Sequence, residues 1–247
     1  MSEMRAALVR KLWHGSDPFE GFDPTGIKVD KQGWGSTHPY LITSVYETRP
    51  VLIVEIGVWK GRSVITMAKA LRALGVPGMV LAVDTWLGSS EHWASPKMFA
   101  DLNLKQGYPS LYHTFMANIL HEGLQDLVLP LPLDSVNACA LLRAHKIRPQ
   151  MIHIDGAHDY RSVATDILNW WPLLESGGIL IGDDYRVDGH FPGVRRAFDE
   201  LATVTHLELE HSPTKCRIRK PQPATLEPVT KAPSLECTEG DAAQAPG

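Results

Sequence analysis

Cysteine is scarce in this sequence and badly placed for chemistry. Cys139, Cys216 and Cys237 are an odd number at no metal-ligand spacing, and they read as reduced structural or surface thiols. A disulfide scaffold and a thiolate zinc site are therefore excluded. A strong charge of either sign is also missing. The 24 basic and 28 acidic residues leave a formal net charge of −4, and no basic stripe interleaved with aromatics runs along the chain, so no nucleic-acid partner is expected. No apolar run approaches transmembrane length, and no membrane partner is expected. The stretch MSEMRAALVRKLW scatters its charges and lacks the continuous apolar segment of a signal peptide, which makes the expected location cytoplasmic. The dinucleotide fingerprint G-x-G-x-x-G is absent, and no segment repeats.

What is present suits a globular α/β domain. The 247 residues are 44% hydrophobic and 21% charged, enough to bury a full core in one domain with additions. The clearest unit is Met151 to Tyr185. Met151, Ile152 and Ile154 form an apolar run that stops at Asp155; Ile179 to Ile181 form another that stops at Asp183 and Asp184. Between them Tyr160, Val163, Ala164, Ile167, Trp171 and Leu174 recur at helical spacing, and Gly177 and Gly178 stop the helix. This is a βαβ unit whose parallel strands end on the same side of the sheet. Asp155, Asp183 and Asp184 are thus expected to converge at the edge where open α/β sheets bind ligands. Three converging carboxylates repel one another, and a hard divalent cation with oxygen ligands, Mg²⁺ before Ca²⁺ or Mn²⁺, relieves that repulsion. Taken singly, the same aspartates are ordinary strand-end turn residues, with Asp159 capping the next helix.

The remaining elements follow in order. Residues 1–36 form an N-terminal arm with a short amphipathic helix from Glu3 to Trp13 and a loop-rich stretch; its Phe19, Phe22 and Trp34 need cover from the main domain or from a second copy of the chain. Ser36 or Thr37 is expected to cap a helix from Pro39 to about Thr48. Residues 37–220 make the main domain. Residues 86–107 are an aromatic insertion beside the ligand edge, a lid or substrate wall, and Tyr108 to Leu120 reads as a helix. Leu127 to Leu131 is a strand whose Pro130 places it away from the centre of the sheet. A helix from Gly193 to Leu201 precedes an antiparallel pair, Val204 to Glu210 and Thr214 to Lys220. Residues 221–247, rich in Pro, Ala, Thr and Glu, are expected to be disordered.

A second ligand signal lies upstream. Val51 to Glu55 is a continuous apolar run ending in an acid, as in a central parallel strand. The loop that follows carries Gly57 and Gly61, a helix comes next, and the strand Met79 to Val83 ends at Asp84. Glycines let a backbone turn tightly and approach a bound molecule, a helix N-terminus offers free N–H groups, and an acid at the neighbouring strand tip can accept hydrogen bonds from a ribose diol. The pattern predicts a nucleoside ligand. Glu55, standing where the fingerprint would have its first glycine, suits a cationic ligand better than a pyrophosphate.

These residues resemble the class I S-adenosylmethionine-dependent methyltransferases, across about Trp34 to Lys220. VEIGVWKGRS is similar to their first motif, and VDTW places Asp84 at the ribose position. IDGAHDY followed by PLLESGGILIGDDY resembles the metal-dependent O-methyltransferases, including macrocin-type and catechol-type enzymes and the group known as cephalosporin hydroxylases. The resemblance implies a Rossmann-like sandwich with a mostly parallel seven-stranded sheet and an antiparallel final strand. It implies S-adenosylmethionine held by Glu55, Gly57, Gly61, Ser63, Asp84, Trp86, Ser135 and Asp155. Metal ligation by Asp155, Asp183 and Asp184, with Mg²⁺ or Mn²⁺, and a general base at His158 are implied as well. Catechol-type enzymes carry lysine at that base position, so the histidine leans toward the sugar-type pattern. Trp86 has two roles open to it, stacking on adenine or filling the core; Ser135 has two as well, contacting the adenine edge or capping a helix.

The activity expected is methyl transfer from a sulfonium to a hydroxyl of a small molecule, with the metal lowering the hydroxyl pKa and His158 taking the proton. His158 lies between a divalent cation and a helix N-terminus, which favour the neutral ring, while the site's carboxylates push the other way. The rivals are a cofactor-binding accessory subunit without chemistry and a metal-assisted hydrolase; Glu55 and Asp84 argue against the hydrolase. A homo-oligomer formed through the arm is a further expectation.

Overall fold

Every strand that the sequence places in the sheet is found there in the computed structural model, which describes residues 2–222. Apart from its first two residues, the segment assigned to disorder lies outside the described residues. Helix α1 (Glu3–Leu12), capped by the Ser2 hydroxyl, opens the arm. Helix α2 (Pro39–Thr48) is capped by His38, whose Nδ1 accepts from Tyr40 N at 3.1 Å. The cap is therefore neither Ser36 nor Thr37: a histidine with extended backbone immediately before Pro39 supplies the acceptor instead. Strand β1 (Leu52–Ile56), helix α3 (Arg62–Leu74) and strand β2 (Met79–Val83) follow.

The aromatic insertion contains two short helices, α4 (Ser90–Ala94) and α5 (Pro96–Phe99), and a ribbon of β3 (Leu104–Lys105) with β4 (Tyr108–Pro109). Helix α6 (Leu111–His121) starts later than its periodicity suggested, because Tyr108 and Pro109 pair with β3. Then come β5 (Val128–Leu131), α7 (Ser135–Ala144), β6 (Met151–Ile154), α8 (Tyr160–Trp170) and β7 (Ile179–Asp183). Helix α9 (Pro192–Thr205) runs further than expected and absorbs the start of the predicted strand at Val204, leaving β8 (Leu209–His211) and β9 (Lys215–Arg219) as the closing pair.

The seven strands lie in the order β5-β2-β1-β6-β7-β9-β8, with β5 through β7 parallel and β9 antiparallel to β7. Order reverses between β1 and β6, the kind of switch point where open α/β sheets bind ligands. Alternation sorts the side chains between two layers. Leu52, Val54 and Ile56 face the core under α1, α7, α8 and α9, whereas Ile53, Met151, Ile179 and Ile181 face the core under α2, α3 and α6. Glu55, His153, Asp183 and Lys215 keep the second parity, so four polar side chains stand at the carboxyl end of an otherwise apolar face.

The arm packs on its own domain. Arg5 is buried in an ion pair with Asp17 and donates through Nε to the Gln125 carbonyl at 3.0 Å. Trp13 Nε1 donates to the Pro130 carbonyl at 3.0 Å. These contacts cover β5, the edge strand that Pro130 had marked as non-central. Among the described residues no helix is long and apolar enough to cross a membrane.

Candidate active site

The loop after β1 is held by the acid after β2. Asp84 Oδ2 accepts from the backbone N–H groups of Val58 at 2.7 Å and Trp59 at 2.9 Å, while Oδ1 accepts from Trp86 N at 2.7 Å. The two carboxylate oxygens retain lone pairs beyond these three bonds, enough for a further donor. The glycines here serve chain packing. Gly57 has φ +79°, and a Cβ on it would stand 2.1 Å from the carbonyl oxygen of Asp155. A Cβ on Gly61 would strike the Phe115 ring at 2.6 Å. The close approach that the sequence suggested is thus made by the protein's own backbone and core. Ser63, in the first turn of α3, donates to Glu55.

Trp86 is only 1% exposed; it packs against Tyr112 and Phe115, donates through Nε1 to the Trp59 carbonyl at 2.9 Å, and does not line the cleft. Of its two roles the structure shows core filling, with the ring packed between Tyr112 and Phe115. Ser135 does line the cleft. It is not the helix cap, which is Asp134 accepting from Asn137 N at 3.0 Å. Ser135 Oγ instead donates to Asp166 and accepts from Trp170 Nε1 at 2.8 Å.

Asp155, Asp183 and Asp184 come together at the carboxyl ends of β6 and β7, with carboxylate oxygens within 4.8 Å of one another. Burial and the neighbouring Asp183 charge push the Asp155 carboxyl well above its ordinary range, the mark of an acidic cluster with surplus negative charge. Asp184 takes a left-handed backbone, φ +54°, and its N–H is accepted by Asp183 Oδ1 at 2.7 Å. His158 sits beside them: Nε2 is 3.1 Å from Asp184 Oδ2, Nδ1 is 3.2 Å from Glu91 Oε2, and the ring stacks on Phe191 at 4.0 Å. Hydrogen bonding to Asp184 raises the imidazole pKa, burial opposes this, and Glu91 adds to the rise. The direction is thus the one in which the site's carboxylates push, against the helix and metal fields that favour the neutral ring. Glu91, from α4 of the insertion, is a partner of His158 that the sequence did not point to.

Beneath this surface lies a buried polar chain that was also missed. Lys215 is ion-paired with Asp183, and its Nζ is 3.4 Å from His153 Nε2. His153 Nδ1 is 3.5 Å from Glu55 Oε1. Burial pushes the Glu55 carboxyl up to about 8, against the Ser63 hydrogen bond. Burial and then Lys215 push the His153 ring down to about 3. A histidine inside MIHID, in a strand buried on both faces, was the available signal. Lys215 gave none, since a lysine in KCRIR reads as a solvent-facing residue.

Asp84, Asp155, Asp183, Asp184 and the glycine loop open into one cleft of about 840 Å³. One wall is Gly57 to Trp59, Ser63, Asp84 and Thr85; the opposite wall is Asp134 to Val136 and Asp155 to His158; Trp34 of the arm and His92 of the insertion border it. Trp59 and His92 stack at 4.3 Å. Such a cleft is large enough to hold an elongated polar molecule along the strand ends.

The strand order, the loop clamped by Asp84 and the acidic cluster define a class I methyltransferase architecture. A family described as "Methyltransferase domain" matches residues 54–185, and the chain belongs to that family. Among curated proteins, the uncharacterized protein y4gI of Sinorhizobium fredii is 27% identical over 189 residues, covering 74% of this chain and 18% of that protein. This chain thus spans less than a fifth of its relative. The O-methyltransferase NovP is similar in structure, with a TM-score of 0.57, 19% identity, and coverage of 90% of this chain and 100% of that one. An O-methyltransferase from Bacillus cereus in complex with SAH gives 0.54 at 17% identity, covering 88% and 97%. TomG of Streptomyces achromogenes, an O-methyltransferase involved in tomaymycin synthesis and solved with SAM, gives 0.53 at 14% identity, covering 89% and 91%.

Proposed function

We propose that this chain is an S-adenosylmethionine-dependent O-methyltransferase that uses a divalent cation and acts on a hydroxyl of a small molecule, such as a sugar, polyketide or phenolic natural product. The observation that carries the reading is the joining of two halves in one cleft: the Asp84-clamped loop at one end, and Asp155, Asp183 and Asp184 with His158 at the other. The cofactor fits the first half, where Asp84 retains acceptor capacity for a further donor such as a ribose hydroxyl, and Ser135 and Asp166, which also line the cleft, could meet the adenine edge. A divalent cation fits the second, whose donors are all carboxylate oxygens, the chemistry of Mg²⁺ or Mn²⁺. When bound there, the ion would lower the pKa of an acceptor hydroxyl and fix its direction.

The chain's own residues do the rest. Asp155, Asp183 and Asp184 orient the acceptor end of the cleft. His158, anchored by Phe191 and Glu91, is within reach of a hydroxyl brought to Asp184 and can take its proton at Nε2. Trp59, His92 and Trp34 give this cleft an aromatic border. Alignment of sulfonium and nucleophile is the main requirement of such an in-line displacement.

Mass spectrometry of the purified protein with S-adenosylmethionine and a panel of hydroxylated metabolites tests the reading. A product heavier than its acceptor by one methylene unit should form with Mg²⁺ or Mn²⁺ and vanish with EDTA. Full turnover in metal-free buffer would remove the divalent ion from the proposal, and absence of cofactor binding by calorimetry would remove the methyltransferase activity.

A further inference from the structure

Lys215 is fully buried at the carboxyl end of the sheet, with its ammonium against Asp183. Removing a lysine from water is costly unless its charge is paired, and here the ladder builds the pairing: Lys215 stands opposite Asp183 in the β7–β9 register. A second contact is to His153 Nε2 at 3.4 Å. An ammonium donating to Nε2 leaves the ring proton on Nδ1, which faces Glu55 Oε1 at 3.5 Å, and Glu55 in turn accepts from Ser63. Neither Lys215 nor His153 lines the cleft. Lys215 therefore acts on the site through its charge and through Asp183, as a positioning residue.

We propose that Lys215 is the resident cation of the carboxylate site: it neutralises one of the three acids in advance and thereby sets how tightly Asp155, Asp183 and Asp184 hold a divalent ion. This rests on the divalent-ion reading above. Both Asp183 oxygens are already engaged, Oδ2 by Lys215 and Oδ1 by Asp184 N. A fixed positive charge a few ångströms from a metal position lowers cation affinity by direct repulsion and by competing for the same oxygens. The same charge keeps the acidic cluster stable when no ion is bound. A site of three acids without it would bind a divalent ion tightly and be strained in its absence.

The test compares the full chain with Lys215→Met and Lys215→Arg, measuring Mn²⁺ binding by electron paramagnetic resonance and thermal melting in EDTA and in Mn²⁺. Lys215→Met should bind Mn²⁺ at least about tenfold more tightly than the parent chain. It should also melt lower in EDTA and recover when Mn²⁺ is added, whereas Lys215→Arg, which keeps the charge, should stay nearer the parent in affinity. If Lys215→Met fails to fold in EDTA, refolding in Mn²⁺ should rescue it; failure in both overturns the proposal, because a site freed of its lysine should be held by the ion. A folded Lys215→Met with unchanged or weaker Mn²⁺ binding overturns the proposal and leaves the divalent-ion reading standing. No Mn²⁺ binding by any of the three chains removes the divalent-ion reading, and this proposal with it.

Discussion

Asp84 Oδ2 accepts the backbone N–H groups of both Val58 and Trp59, at 2.7 and 2.9 Å, so the acid at the tip of β2 sets the shape of the glycine loop at the tip of β1. Two functions are thereby placed on one carboxylate, holding the loop and, in the proposed activity, receiving the ribose. Asp84→Ala should do two measurable things. Loss of the loop bonds, as charge-assisted bonds worth about 1.5–3 kcal/mol each, should lower the melting temperature of the ligand-free protein. Calorimetry should also record weaker S-adenosylmethionine binding. A variant with reduced stability and unchanged cofactor affinity would leave Asp84 only its structural role.

His158 is held on both ring nitrogens by carboxylates, Asp184 and Glu91, and packed on Phe191. In its proposed role as general base it should contribute roughly 10²–10⁴ to kcat. His158→Ala is therefore expected to lower kcat by about that factor while cofactor affinity stays within about twofold. Steady-state kinetics with a methyl acceptor, together with calorimetry, reads both quantities. Wild-type turnover in the variant across the pH range would assign His158 to packing alone.

The sheet was legible in the sequence because central parallel strands write continuous apolar runs, and Leu52–Val54, Met79–Val83 and Ile179–Ile181 are such runs. Asp155, Asp183 and Asp184 were legible for the same reason: each interrupts an apolar run at its carboxyl end, and parallel connection forces those ends together. Tertiary partners were not. Lys215 finds Asp183 only through an antiparallel ladder, and Glu91 reaches His158 across 67 residues of sequence. Trp86 shows the limit from the other side, since an aromatic two residues after Asp84 reads as a stacking platform, whereas its ring is buried in the core.

Gly57 offers a sharp test of the fold around the site. Its φ of +79° disfavours any side chain, and a Cβ would sit 2.1 Å from the Asp155 carbonyl oxygen and 2.5 Å from Gly156 Cα. Both obstacles are backbone and cannot swing aside. Gly57→Ala should therefore push β1 and β6 apart at the ligand edge, lowering the melting temperature by many degrees or leaving the protein insoluble. Gly75→Ala is the control: it also has a positive φ, +66°, but open space around it, so its cost should be limited to backbone strain of about 1 kcal/mol. Equal melting temperatures for the two variants would show that the contact between the strand ends is soft.

Asp166 gives the pH-dependent prediction. It is buried on α8 at the side of the cleft, and burial raises its carboxyl from an ordinary 3.8 to about 6, with the Ser135 hydrogen bond opposing the rise and the Asp159 charge adding to it. The sign follows from proton counting. Between pH 3.8 and about 6 the folded protein retains a proton that the unfolded chain has released, so in that window stability falls as pH rises. Above it the folded state carries a constant penalty of at most about 3 kcal/mol, the free-energy equivalent of the shift. Asp166→Asn keeps an acceptor for Ser135 Oγ and removes the charge. The variant should therefore melt several degrees above the parent at pH 7.5, since 1 kcal/mol moves a chain of this size by about 2–4 °C. At pH 4, where the parent carboxyl is protonated in the fold, the two melting curves should nearly coincide. A stability gain of the same size at both pH values would place its origin in packing or hydrogen bonding, and a loss at pH 7.5 would mean that the Asp166 charge is satisfied in the folded protein.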